Sequence, residues 1–235
     1  MYNLVVNHID PKKAGFWGTV NGRRQWRTRR PGSPINLQGI TIHNTGNPRS
    51  TALNERSWLE NPSNNRLASF HVAIDERNVV ECIPLNEISY HAGDRTGNTT
   101  HLGIEVCESG NYHQTMLNTV EYVSDKLLEF GLNTFALKQH FDWSGKNCPR
   151  LIRAGHMGWN WNKLIRQIEE RMFREMVSKY FKDIHQEWQA EHVDSLREKG
   201  IISGRTEDTF DPDSPITRAE VAVVVNRAIE YLERR

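Results

Sequence analysis

Three short stretches of two-residue alternation constrain this chain most, because a pleated strand sends successive side chains to opposite faces and so sorts them. In Gly39-Ile40-Thr41-Ile42-His43-Asn44, Ile40 and Ile42 share one face while Thr41 and His43 share the other. The run stops at Thr45-Gly46-Asn47-Pro48. Phe70-His71-Val72-Ala73-Ile74-Asp75 leads through the turn-like Glu76-Arg77-Asn78 into Val79-Val80-Glu81-Cys82-Ile83, the pattern of a hairpin. The third stretch, Leu102-Gly103-Ile104-Glu105-Val106-Cys107, sets Leu102, Ile104 and Val106 against Gly103, Glu105 and Cys107. Glu105 thus shares its face with a cysteine and not with the aliphatic residues.

Helical rhythm fills the spaces after these strands. Leu117, Val120, Val123, Leu127 and Leu128 recur at three- and four-residue spacing and are closed by Gly131, which predicts an amphipathic helix. Leu164, Ile165, Ile168, Met172 and Met176 predict a second one over 160–179. Strands mixed with helices point to an α/β domain, a mixed central β-sheet flanked by helices. The charged stretch from Ile168 to Lys179 carries the second helix past what a compact core needs, so the domain boundary is expected near Val177–Phe181. That leaves residues 1–178 for the core and 179–235 for a small all-α module, a division that 235 residues can supply.

Charge excludes some partners. Thirty Lys and Arg nearly cancel 29 Asp and Glu, so no global field argues for nucleic acid or an anionic membrane. The run Asn21–Arg30 does hold five arginines and a tryptophan, but no basic domain supports it, and it reads as a solvated or substrate-edge strand. No apolar stretch approaches the roughly 20 residues that span a bilayer. Met1–Asp10 has neither a basic start nor a long apolar centre, so accumulation in the cytoplasm without an export signal is expected. Cys82, Cys107 and Cys148 cannot all pair within one chain, which fits a reducing compartment and leaves one of them open to ligation or nucleophilic work.

No short metal motif such as HExxH occurs. A site, if present, has to be assembled from distant segments, and the raw candidates stand at strand ends or beside glycine and proline: His43, His71, His91, His140, and Cys148 before Pro149. Catalytic zinc commonly takes three such ligands and a water.

The order of segments then carries a resemblance. Ile40-Thr41-Ile42-His43-Asn44-Thr45, Ala68-Ser69-Phe70-His71-Val72-Ala73-Ile74-Asp75, Tyr90-His91-Ala92-Gly93, Leu102-Gly103-Ile104-Glu105-Val106, and Gln139-His140-Phe141-Asp142 through Lys146-Asn147-Cys148-Pro149 resemble, over residues 35–170, the zinc amidases related to phage lysozyme-type amidases and peptidoglycan recognition proteins. The resemblance implies one zinc ion held by His43, His140 and Cys148, Glu105 as acid–base group, and Lys146 as a stabiliser of the developing oxyanion. Phe70, His71 and His91 are then candidates for the substrate pocket and its surroundings. Several relatives have tyrosine where this chain has Phe70, which carries no hydroxyl and shifts weight to Glu105. The implied activity is cleavage of the amide between N-acetylmuramic acid and the L-alanine of the stem peptide, as in a phage or prophage endolysin. A bacterial autolysin, a non-catalytic peptidoglycan-recognition protein and a thiol hydrolase built on Cys148 with His140 are the alternatives.

From Phe181-Lys182-Asp183 through Trp188, Val193–Gly204 and Thr209-Phe210-Asp211-Pro212 to Ile216-Thr217-Arg218-Ala219-Glu220, the chain resembles a surface-layer homology module. Helix, glycine-marked loop and helix are expected, with Gly200 ending the first helix and Thr217 with Glu220 capping the second. A calcium loop counted from Asp211 fails, since its sixth and twelfth positions are Ile216 and Ala222. The module's usual Asp-Gly turn is replaced by Glu207-Asp208. The resemblance implies wall attachment through Arg218, Asp183 and Trp188 to an anionic secondary wall polysaccharide. Such modules usually come in threes, so the single copy here suggests a homotrimer that rebuilds the threefold arrangement.

Overall fold

The strand Gly39–Asn44 lies inside a six-stranded sheet in the computed structural model, which describes residues 2–176, 178–184 and 186–234. In chain order the first unit holds β1 (Asn3–Val6), β2 (Gly15–Val20), β3 (Arg23–Thr28), β4 (Gly39–Asn44), α1 (Ala52–Leu59), β5 (Val72–Ile74), β6 (Asn78–Glu81), α2 (Arg95–Thr100), β7 (His101–Val106), α3 (Tyr112–Glu129), β8 (Leu137–Gln139), α4 (His140–Ser144) and α5 (Arg150–Arg153). They are followed by α6 (Trp161–Met176), α7 (Glu187–Glu198) and α8 (Arg218–Glu233). The sheet order is β1-β6-β5-β7-β4-β8, parallel at every pairing except the β5–β6 hairpin. This is the expected mixed sheet flanked by helices. Two compact units result, Met1–Glu169 and Glu170–Arg235. The expected boundary starts on Val177, which lies outside the described residues, as does the side chain of Met176. No helix among the described residues is long and apolar enough to cross a membrane.

Burial follows the alternation. Ile40, Ile42, Leu102, Ile104 and Val106 are fully buried, and Ala73, Val80, Cys82 and Cys107 form a cluster with Ala52 and Leu59 of α1. The α3 stripe differs from its expectation at two positions. Tyr112, Met116, Val120, Val123 and Leu127 are buried, but Leu117 is exposed and Leu128 only half-buried. At about 100° per residue, both leucines fall roughly a quarter-turn or more away from the centre of the buried stripe.

The arginine-rich run divides by role. Arg23–Thr28 forms β3, paired antiparallel with β2 in a separate two-stranded ribbon. Arg29, the next residue, is wholly buried: its Nε donates to the Arg66 carbonyl at 3.0 Å and its Nη1 to those of Ala14 and Leu59 at 2.8 and 3.2 Å, while Nη2 donates to Asn64. Arg30 makes a bidentate pair with Glu87 at 2.7 and 2.9 Å. A planar guanidinium suits this stitching of backbone carbonyls, which a lysine could not copy.

The second unit has its own core of Phe181, Ile184, Ala190, Val193, Ile201 and Ile202, with Leu196, Phe210, Val224, Ala228 and Tyr231 packed against it. Thr217 and Glu220 form the expected capping box at the start of α8. The Asp183 carboxylate accepts from the Phe210 and Asp211 amides at 2.8 and 2.6 Å, so it holds the loop before α8 in shape.

Candidate functional site

His43 sits near the carboxyl end of β4, opposite Glu105 in the register of the adjacent β7, and His140 opens α4 directly after β8. Carboxyl ends of parallel strands are where open α/β sheets gather their ligands. Cys148 reaches the same point from a loop held by its neighbours: the Phe141 amide donates to the Cys148 carbonyl at 2.9 Å, and the Leu151 amide to Asn44 Oδ1 at 3.0 Å. His43, His140 and Cys148 are all buried and present their ligating atoms within 4.8 Å of one another.

A chain of hydrogen bonds fixes which nitrogens carry protons. His91 Nε2 lies 2.9 Å from the His101 carbonyl, which can only accept, so Nε2 carries hydrogen and Nδ1 of the neutral ring is an acceptor. The His43 Nε2–H then donates to His91 Nδ1 across 3.0 Å, leaving the His43 Nδ1 lone pair free. That lone pair faces His140 Nδ1 at 3.0 Å, with Cys148 Sγ 3.8 Å from His43 Nδ1. Burial, helped by neighbouring positive charge, disfavours the imidazolium form. It holds His43 well below its ordinary value, His140 at about 4 and His91 at about 3. His140 donates a ring N–H to the Ala92 backbone, which leaves its Nδ1 as a second lone pair, and two imidazole lone pairs beside a thiol form a donor set that a soft-to-borderline cation satisfies. Among the described residues it is a fitting metal site.

Burial also pushes the Cys148 thiol up to about 11 and, with Glu55 and Glu108 adding to it, the Glu105 carboxyl up to about 8. Glu105 Oε2 is buried with no hydrogen-bond partner, so no arginine pairs with that oxygen. These groups line one cavity of about 820 Å³ together with Phe70, His91 and Lys146. Lys146 is exposed at this cavity, and Phe70 is a buried part of its wall.

His71 does not line this cavity. Its Nε2–H donates to the Glu87 carbonyl at 2.8 Å, and its Nδ1 accepts from the Gly103 amide and the Ser89 hydroxyl at 2.9 and 3.0 Å. Every polar atom of the ring is thus committed inside the core, and burial lowers its pKa to about 4. The sign of the consequence is fixed. Between pH 6.5 and about 4 the unfolded chain takes up a proton that the folded His71 refuses, so stability is full above 6.5 and is lost as pH falls through the folded value. His71 alone accounts for roughly 3 kcal/mol. Urea unfolding followed across that window should show falling stability towards acid, and a flat profile would contradict the buried neutral ring.

Two positioning groups escaped the sequence reading. Asn98 Oδ1 accepts from the His91 and Ala92 amides, both at 2.8 Å, and so sets the loop that carries His91. Gly103 lies beneath the His91 ring, where a Cβ would come within 2.5 Å of it. A backbone carbonyl, that of His101, is the anchor of the proton chain, and backbone leaves no residue-type signal.

In the second unit a groove of about 710 Å³ is lined by residues that include Arg205, Asp211, Glu220, Val223 and Arg227. Of the expected wall-binding residues, Arg218 and Trp188 are exposed but do not line it, and Asp183 serves the loop as described.

Comparison with known proteins agrees with this geometry. Residues 180–222 match the S-layer homology domain. The chain is 37% identical over 127 residues to the N-acetylmuramoyl-L-alanine amidase CwlA of Bacillus subtilis (strain 168), which covers 51% of this chain and 46% of CwlA. A CwlA from a Bacillus species is 35% identical over 133 residues, covering 53% and 52%. The chain thus spans about half the length of the curated relatives it matches. A mutant endolysin from Bacillus subtilis shares the fold with a TM-score of 0.60 at 27% identity, over 72% of this chain and 99% of that one. Residues 31–151 match the N-acetylmuramoyl-L-alanine amidase family, and the chain belongs to that family.

Proposed function

We propose that residues 1–178 hydrolyse the amide between N-acetylmuramic acid and the L-alanine of the peptidoglycan stem peptide, using one zinc ion held by His43, His140 and Cys148. The convergence of two Nδ1 lone pairs and a thiol beside a buried, unpartnered carboxyl carries this reading. When bound, zinc would lower the pKa of a water and polarise the scissile carbonyl. Glu105 takes the proton of the attacking water and returns it to the departing alanine nitrogen. Its raised pKa suits a group that must both accept and release a proton near neutrality. Lys146 offers an ammonium to the oxyanion as it develops. Phe70 closes the wall and brings no hydroxyl, so proton transfer rests on Glu105. His91 fixes the tautomer of His43 through the hydrogen-bond chain described above.

The thiol-hydrolase alternative is disfavoured by the cysteine itself. A nucleophilic thiol needs its pKa lowered, whereas burial raises that of Cys148 to about 11. Identification of new chemical ends on digested walls tests the activity: free N-terminal L-alanine is expected, and reducing sugar ends without it would refute the reading. The biology proposed is that of a phage or prophage endolysin, accumulating in the cytoplasm and acting on the wall after release.

Residues 179–235 are proposed as the wall-binding module for an anionic secondary wall polysaccharide, with Arg218 pairing to a carboxylate. Self-association into a trimer is supported by α8, which packs Val224, Ala228 and Tyr231 on the core and exposes Val221, Val225, Ile229 and Leu232 along a neighbouring side. An exposed apolar stripe of this kind marks an interaction surface. Arg218→Ala should weaken co-sedimentation with host walls roughly tenfold. Analytical ultracentrifugation of the intact chain should find a trimer, and a monomer would refute the assembly.

A further inference from the structure

The β2–β3 ribbon precedes residue 31, where the family match begins, so the match does not account for it. Its turn is Asn21-Gly22, both at positive φ, and its register pairs Trp17 with Trp26 and Thr19 with Arg24. Directly paired residues share a face. One face therefore carries Trp17, Thr19, Arg24 and Trp26, all exposed, while Phe16, Gly18 and Val20 on the other are half-buried. Trp17 and Trp26 are 58% and 50% exposed, and their rings meet edge-on with centroids 5.7 Å apart. The Arg24 guanidinium lies 5.6 Å from the Trp17 ring centre. Trp26 is seated over Gly15, where a Cβ would come within 2.1 Å of the indole. The aromatic pair is therefore held in place by the ribbon itself, and it loses little freedom on binding a ligand.

The base of the ribbon is tied to the catalytic cavity. Arg29, one residue beyond β3, is bonded to the carbonyls of Leu59, Asn64 and Arg66, and all three of these residues line the cavity. The ribbon that presents the indoles and Arg24 is thus anchored to the wall of the cavity in which a polymer would be cut. Indoles stack on the C–H faces of sugar rings, and a guanidinium pairs with carboxylates. The proposed reaction makes such a ligand. Hydrolysis breaks the lactyl C–N bond, places the water's hydroxyl on the acyl carbon and its proton on the alanine nitrogen. Each processed muramic residue is left with a lactyl carboxylate.

We infer that the Trp17–Trp26–Arg24 face binds the amino-sugar chain freed of its stem peptides, holding the enzyme on the strand it is clearing. The inference rests on the amidase reading for the origin of the carboxylates.

Calorimetric titration of the intact chain with purified, peptide-free glycan strands tests it. Binding is expected, weakened at least about tenfold in the Trp17→Ala/Trp26→Ala variant as two ring contacts are lost. Trp17→Phe/Trp26→Phe keeps the rings and the ribbon and should stay within about threefold of wild type. Arg24→Gln should weaken binding of the strands and leave that of uncharged chito-oligosaccharide as it was. Equal affinity in the Ala/Ala variant and wild type overturns the inference, as does a Phe/Phe variant that binds no better than Ala/Ala. Displacement of the strands by a single-stranded oligonucleotide at matched charge would reassign the face to nucleic acid. Peptide-free strands hold no scissile bond, so the titration is silent on hydrolysis. If whole walls yield no N-terminal alanine, the amidase reading falls and the face is judged by calorimetry alone.

Discussion

Cys148→Ser is expected to lose its zinc and, with it, wall lysis, while the wild-type chain holds one zinc ion per molecule. The reason lies in what surrounds the sulfur. His43 Nδ1 and His140 Nδ1 stand 3.0 Å apart, and the hydrogen-bond chain from the His101 carbonyl through His91 leaves the former without a proton. Two neutral imidazoles supply lone pairs but no charge, so the thiolate is the one anionic donor in the set. Its pKa of about 11 in the bare protein means that it ionises at neutral pH only with a cation beside it. A serine hydroxyl supplies neither the charge nor the softness, and affinity should fall by about three orders of magnitude. Elemental analysis of both purified proteins, exchanged into metal-limited buffer, reads this directly. Full zinc occupancy in Cys148→Ser would remove the cysteine from the ligand set. The thiol-hydrolase alternative makes the opposite forecast for the wild type, since chelation would leave its activity intact and alkylation would end it.

Periodicity carried the reading of the fold a long way. The strand Gly39–Asn44 was legible to the residue, and the β5–β6 hairpin and β7 within one or two residues, because each has a strict alternation bounded by turn residues. The site was less legible. That His43 and Glu105 face away from their strands' aliphatic sides can be read from alternation, but the meeting of His43 with residues 97 and 105 positions later cannot, because tertiary convergence leaves no spacing rule. Only the order of five segments, read as a resemblance, brought them together. His71 and His91 show the limit well. Both are buried histidines flanking the same strand, yet Gly103 Cα makes room for the His91 ring above it while the Gly103 amide donates to His71. Which ring reaches the cavity depends on that backbone, not on either histidine's neighbours in sequence. The N-terminal ribbon is legible in part, since the arginine-rich run reads as a strand and forms β3. Its partner strand is marked by the Asn21-Gly22 turn, a strong short-range hairpin signal, but the arginines after it leave no regular apolar alternation to pair with β2. Arg29 and Asp183 mislead for a shared reason, since charged side chains that serve backbone groups look in sequence like charged side chains that serve ligands.

Glu105→Gln is expected to keep zinc and fold while turnover falls by about 100-fold or more. The substitution preserves shape and removes the ability to take and return a proton. Its structural cost should be small, because Oε2 makes no hydrogen bond that the amide would forfeit, and a neutral amide sits more easily than a carboxylate in a site that already disfavours charge. A buried polar atom without a partner is rare enough in a native interior to call for an explanation, and a group that meets its partner only when substrate and water enter supplies one. The readouts are kcat on a soluble muramoyl peptide, zinc per chain and the thermal midpoint. Loss of turnover with zinc and midpoint retained assigns the proton transfer to Glu105. Near-normal turnover with zinc retained would remove that role, and His71 could not inherit it, since both of its ring nitrogens are committed to Glu87, Ser89 and Gly103 inside the core.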